Sequence, residues 1–270
     1  MTGRQRTLLV CVCAAVLLAG IALAGSLCTQ AAQTTNFDEK NLFPSLWHIF
    51  GTDWLGRDMF LRTIAGLSTS IFIGCLAALA SSVISLVLGC AAATSHKLDA
   101  AISWLIDLMM GIPHLILLVL ISYALGRGFL GVAVGIALTH WANLARIVRA
   151  EVLQCKNSQY VKIAGKLGQS KLQIARRHML PYVLPQFLVG LVLMFPHAIL
   201  HEAAITFLGF GLGSETPAIG VILSESMTYL STGCWHLATF PGLALVLVVF
   251  LFDYIGKSLR KLTSAHTAQF

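Results

Sequence analysis

The run Ser70-Ile71-Phe72-Ile73-Gly74-Cys75-Leu76-Ala77-Ala78-Leu79-Ala80-Ser81-Ser82-Val83-Ile84-Ser85-Leu86-Val87-Leu88-Gly89-Cys90-Ala91-Ala92-Ala93 holds no charged side chain. As a helix rising about 1.5 Å per residue it would be roughly 36 Å long, enough to cross a hydrocarbon core about 30 Å thick. Its polar residues do not alternate with apolar ones, as they would in a strand of a transmembrane barrel. Five further stretches share this character: 7–25, 103–124, 129–148, 183–207 and 238–255. Breakers separate them, among them Ser95-His96-Lys97, Gly126-Arg127-Gly128 and the segment 209–217. The expected fold is an all-α polytopic membrane protein with six transmembrane helices.

Composition agrees. Of the 270 residues, 57% are hydrophobic and 11% charged, and the mean hydropathy is +0.82. A soluble domain carries about 25% charged residues, so a soluble enzyme, a disordered chain and a coiled coil are excluded. The net charge of +7 is read as topology and not as a nucleic-acid surface. With six spans both termini share a side, and on that side fall all but Lys40, Arg57, Arg62 and Arg127 of the 18 Lys and Arg residues. The positive-inside rule then makes both termini cytoplasmic. The seven cysteines are scattered without CxxC spacing and suggest neither a zinc site nor a disulfide framework. Arg4 and Arg6 before an apolar run leave a cleaved signal peptide as an alternative for the first span, but the run exceeds the usual 7–15 residues.

Two soluble segments stand out: an outer one from Ser26 to about Leu67, and a basic inner loop from Arg149 to Tyr182. Residues 209–237 form a semi-apolar outer stretch, expected to dip partly into the membrane. In the inner loop, a short helix should stop at Gly168 and a second should start at the N-cap Ser170, running to Leu180. Pro181 is expected to reset the chain before the fifth span. Val161, Ala164, Leu167 and Ile174 would be left wet unless a partner groove buried them. Lys162, Lys166, Lys171, Arg176 and Arg177 would meet acidic partner groups or anionic lipid.

The spacing Ala164-x-x-x-Gly168, then Leu180-Pro181, resembles the signature loop of ABC-importer permeases. Lys162 and Ile163 stand where that loop usually has Glu and Ala. The resemblance implies a coupling helix seated in an ATP-binding subunit, with Lys162, Ile163, Ala164, Leu167, Gly168, Ser170 and Pro181 at the contact. In the outer segment, Gly51-Thr52-Asp53-Trp54-Leu55-Gly56-Arg57-Asp58 reads physically as a turn-rich, ion-paired start to the second span. Asp53 or Asp58 would cap the helix. It also resembles, at seven positions, a motif of the second permease of peptide and nickel importers. Gly51, Thr52, Asp53, Gly56, Arg57 and Asp58 are its candidate residues. Residues 1–66 would then be an N-terminal helix and outer loop, and 67–270 a type I permease core with its coupling loop at about 150–181.

The resemblance further implies a homologous second permease, two ATP-binding subunits and an extracytoplasmic binding protein as partners. The chain has no Gly-x-x-x-x-Gly-Lys-Ser/Thr loop, so it is read as carrying no cofactor of its own and no enzyme activity. ATP and magnesium would belong to a partner. Ionisable groups at membrane depth point to the cargo. Asp107 and His114, seven residues apart, should share a helix face. His197 and His201, at i and i+4, are spaced to face one cation, with Glu202 beside them. His114, His197, His201 and Glu202 are therefore the candidate path or metal residues, and nickel or a metal chelate is the expected cargo. Dipeptides or oligopeptides are the alternative. His140, with Trp141, is read as an anchor near the inner end of its span, and Asp253–Lys257 as a simple pair. A stand-alone channel would need no inner loop. A metalloprotease would need His-Glu-x-x-His, but Ile205 stands where the second His belongs.

Overall fold

The computed structural model describes residues 3–267. Most of it is helical. Apart from an isolated antiparallel bridge between Thr52 and Asp58, no strand forms among the described residues. The long helices are α1 (Gly3–Cys28), α2 (Met59–Ala92), α5 (Gly128–Asn157), α8 (Leu180–Phe207) and α10 (His236–Thr267). Shorter ones are α3 (His96–Gly111), α4 (His114–Ala124), α6 (Gln159–Lys166), α7 (Lys171–Ile174) and α9 (Ile219–Met227).

Among the described residues, five helices are long and apolar enough to cross a membrane, and a sixth crossing exists if α3 and α4 count as one span. They meet at 95° across Ile112-Pro113. Here the sequence reading needs correction, since 103–124 is not one straight helix. Proline lacks an amide proton and its ring strikes the carbonyl four residues back, so the ladder ends at Gly111 and restarts at His114. Asp107 and His114 therefore lie on two differently directed helices, not on one face.

Lipid gives no hydrophobic drive between helices, so close packing of small residues has to hold the bundle. The buried face of α2 is built of them: Gly74, Ala77, Ala78, Ser81, Ser82, Ser85 and Gly89. Ser85 Oγ donates across to the Trp141 carbonyl of α5 at 2.8 Å. The helix α1 joins the bundle in the same way. A Cβ on Gly25 would strike the Ile64 backbone and Ser68, and Ser68 Oγ donates to the Ala22 carbonyl at 2.6 Å. One core joins α2, α4, α5 and α8, and a second joins α1, α2, α8, α9 and α10.

Within residues 209–237 the short helix α9 packs against the bundle. Ile219, Gly220, Val221 and Ile222 of α9 are buried, with Gly220 set so close to the Ala203 carbonyl of α8 that a side chain would clash.

Candidate functional site

At one end of the bundle, α5 runs on past its apolar part. Lys156 Nζ there donates to the carbonyl of Ala93, the C-cap of α2, at 2.8 Å. Asp99 of α3 receives both the Nε and the Nη2 of Arg149, the latter at 2.8 Å. Beyond this end projects the elbow. Helix α6 stops at Lys166, and Gly168 takes φ +82°, a left-handed turn that a side chain resists. Ser170 and Gln173 then cap each other: Gln173 N–H donates to Ser170 Oγ at 3.3 Å, and Ser170 N–H to Gln173 Oε1 at 3.0 Å. This is a reciprocal capping box.

Two details differ from the sequence reading. The chain is not reset at Pro181: a π-helical turn over Ala175–Met179 leads directly into α8, with Pro181 in its first turn. The wider turn and the terminal position accommodate a residue that would break a tight helix interior. Second, Val161 and Ala164 are buried against their own chain, while Leu167 is 77% exposed and Ile163 54%. Lys162 is exposed and Ile174 half-buried. The elbow is braced from behind by Tyr160 Oη on Cys155 Sγ at 3.1 Å and by His178 Nε2 with Gln169 Oε1 at 3.1 Å. Partial desolvation of the Tyr160 phenol, then its bond to Cys155, raises its pKa above the usual tyrosine value.

At the opposite end, the motif from Gly51 to Asp58 forms a knot around a buried carboxylate. Gly51 and Gly56 both take positive φ. Asp53, fully buried, accepts the amides of Leu55 and Arg57 at 2.8 and 2.9 Å. Its other oxygen accepts Arg57 Nε at 2.6 Å and Arg62 Nη1 at 2.7 Å. Arg62 reaches on to Glu225 of α9 at 2.9 Å. Asp58, not Asp53, caps α2, accepting the amides of Phe60 and Leu61 at 2.8 and 3.0 Å and touching His48 at 2.7 Å. Thr52 Oγ1 bonds the Glu39 carbonyl and accepts Leu42 N–H. Trp54 stacks on Tyr229 at 4.7 Å. The knot thus ties the outer segment to α2 and α9.

Between these ends lies a cavity of about 450 Å³ among the α3–α4 break, α5 and α8. His114, His140, His197 and His201 line it, with Met109, Met110, Thr139, Asn143 and Met194 among its other walls. Three rings gather there, with centroids 4.5 Å (His114–His140), 4.6 Å (His114–His201) and 4.9 Å (His140–His201) apart. One potential ligand atom from each lies within 4.8 Å of the others.

The sequence-based set is only partly assembled. His114 and His201 meet. His197 lines the cavity but stands outside the trio, its carbonyl taking Nδ1 of His201 at 2.7 Å. Glu202 turns away: it is fully buried and accepts Thr206 Oγ1 at 3.0 Å. Successive helical positions point about 100° apart, so Glu202 could not share the face of His201. The missing member is His140. Read from sequence as an anchor near a span's end, it sits mid-helix because α5 extends to Asn157. Asp253 and Lys257 pair at 2.6 Å, as their spacing suggested.

Comparison with known proteins then places the molecule. Residues 85–265 match the family model described as binding-protein-dependent transport system inner membrane component. The chain belongs to this family and is the permease component of an ABC importer. It is 34% identical over 223 residues to the dipeptide transport system permease protein DppC of Bacillus subtilis, covering 82% of this chain and 70% of that one. It is 32% identical over 237 residues to the nickel transport system permease protein NikC of Escherichia coli, covering 87% and 84%. Its fold is shared with the inward-facing MetNI methionine ABC transporter, at TM-score 0.61 and 20% identity, covering 75% of this chain and 97% of the other.

Proposed function

We propose that the chain is one half of the transmembrane path of an importer for nickel or a nickel-like metal species. It pairs with a homologous permease, takes cargo from an extracytoplasmic binding protein and is driven by two ATP-binding subunits. The observation that carries the metal reading is the gathering of imidazoles from α4, α5 and α8 on one cavity. Nitrogen donors of this kind suit nickel and its neighbours, whereas a peptide would be met by charge and backbone partners.

Ile163, Leu167 and Lys162, exposed on a braced elbow, are the surface offered to the ATP-binding subunit. Ala164, Gly168, Ser170 and Pro181 shape it. Closure of that subunit pair moves the elbow, and the π-turn joins it without a loop to α8, which carries His197 and His201. Alternating access follows as a rigid-body movement of packed helices. The knot of Asp53, Arg57 and Arg62, framed by Gly51, Thr52, Gly56 and Asp58, keeps the outer end of α2 fixed to α9. Both termini lie on the cytoplasmic side with the elbow, where the basic residues gather.

A dipeptide cargo is the second reading, favoured by the 34% identity to a dipeptide permease and by the mixed apolar and amide lining of the cavity. Uptake of labelled nickel and of a labelled dipeptide, in cells with and without this chain, separates the two. Loss of nickel uptake is expected on deletion. Loss of dipeptide uptake alone contradicts the metal reading.

A further inference from the structure

We propose that His114, His140 and His201 are direct ligands for a borderline divalent transition ion in transit. The inference deepens the metal-import reading and rests on it for the word transit. It adds that the ion is met with part of its coordination sphere open, not wrapped in a complete chelate.

The hydrogen bonds fix which nitrogens are free. His140 Nδ1 lies 3.0 Å from the Ile136 carbonyl, so its proton sits there and Nε2 presents a lone pair. His201 Nδ1 lies 2.7 Å from the His197 carbonyl and 3.3 Å from His140 Nε2. The shorter contact takes the Nδ1 proton, so His201 Nε2 is left as a lone pair and His140 Nε2 stays available to a ligand. His114 Nε2 is buried with no hydrogen-bond partner. A backbone carbonyl behind a ligating imidazole is how metal sites orient their histidines.

The spacing fits a site that closes on its ion. Metal–nitrogen bonds of about 2.0–2.1 Å put tetrahedral ligand atoms roughly 3.3 Å apart. The present limit of 4.8 Å calls for a contraction that side-chain rotation supplies.

Charge decides between a resident ion and a passing one. Among the described residues the cavity walls contain no Asp or Glu: Glu202 bonds Thr206 instead, and Asp107 pairs with Arg146 at 2.9 Å. A dication held by neutral ligands alone at membrane depth keeps its charge uncompensated. It binds, but exchanges. The ligands also stand on three helices, with His114 directly after the Pro113 break, so relative movement of α4 and α8 opens the site. Imidazole selects nickel, cobalt or zinc over magnesium or calcium.

The test uses the full chain, purified in nanodiscs through a tag without histidine. Titration with Co²⁺ should give visible d–d bands saturating at one ion per chain, unaffected by excess Mg²⁺. His114→Gln, His140→Gln and His201→Gln, each checked for an unchanged thermal midpoint, should each weaken binding about tenfold or more. His96→Gln, exposed and outside the cavity lining, should leave it within about threefold. Absence of Co²⁺ bands in the wild type overturns the proposal, as does equal binding by the folded triad variants. Should a triad variant not fold, the other two decide. Uptake separates this from the broader reading. If the triad binds Co²⁺ but deletion of the chain abolishes only dipeptide uptake, the import reading falls and the site stands. If nickel uptake needs the chain but survives the triad variants, the site falls and the import reading stands.

Discussion

Replacing Asp53 with Ala removes the centre of the outer knot, and the structure sets the size of the effect. Asp53 is fully buried and its two oxygens accept four hydrogen bonds, two from amides and two from guanidinium groups. The Arg62 side chain is 3% exposed. Without Asp53 its remaining carboxylate partner is Glu225, which it then shares with Arg57. Breaking a buried pair by removing one partner costs about 3–5 kcal/mol. The two orphaned amides would each cost about 1–3 kcal/mol if nothing relaxed. These overlap because one rearrangement relieves both, so a loss of about 3–5 kcal/mol is expected. The readout is denaturant unfolding in detergent, followed by tryptophan fluorescence in a background where Trp54, stacked on Tyr229 beside the knot, is the one indole kept. The control is Asp107→Asn. That pair with Arg146 has side chains 70% and 52% exposed, and an exposed pair contributes about 0–1 kcal/mol. Asp53→Ala costing no more than Asp107→Asn would refute the reasoning.

Three further outcomes are expected. Leu167→Asp places a charge on an exposed position, so the thermal midpoint should hold while copurification of the ATP-binding subunit drops at least tenfold, measured by quantitative pull-down. Gly25→Val forces α1 off α2, and limited proteolysis should release α1 from the variant but not from the wild type. Gly168→Val puts a β-branched side chain at φ +82°. It should cost about 1–2 kcal/mol locally, seen as faster amide exchange over residues 159–174 with the bundle unchanged.

Helix number and the elbow were legible because each rests on a local rule. Apolar runs of spanning length identify helices without any partner, and Gly168 and Ser170 carry stop and start chemistry in their own side chains. What escaped depended on three dimensions. Pro113 was visible, but nothing local says that a proline bends a span by 95° instead of kinking it slightly. His140 was misplaced because apolarity marks where a span leaves the lipid, not where its helix ends. The trio of His114, His140 and His201 spans three helices, and no sequence spacing encodes such a meeting. Val161 and Ala164 were expected on the outer face of the elbow. They turned inward because α6 packs onto its own chain, and Ile163 and Leu167 took the exposed side.

The most direct test of the central claim, that a separate ATP-driven partner moves this bundle through the elbow at 159–174, is transport in sealed vesicles. The purified chain alone should carry no labelled nickel. Adding the second permease, the ATP-binding subunits, the binding protein and ATP should restore uptake, and Leu167→Asp should abolish it. Full-rate flux through the chain by itself, or ATP-driven uptake indifferent to Leu167→Asp, would contradict the account.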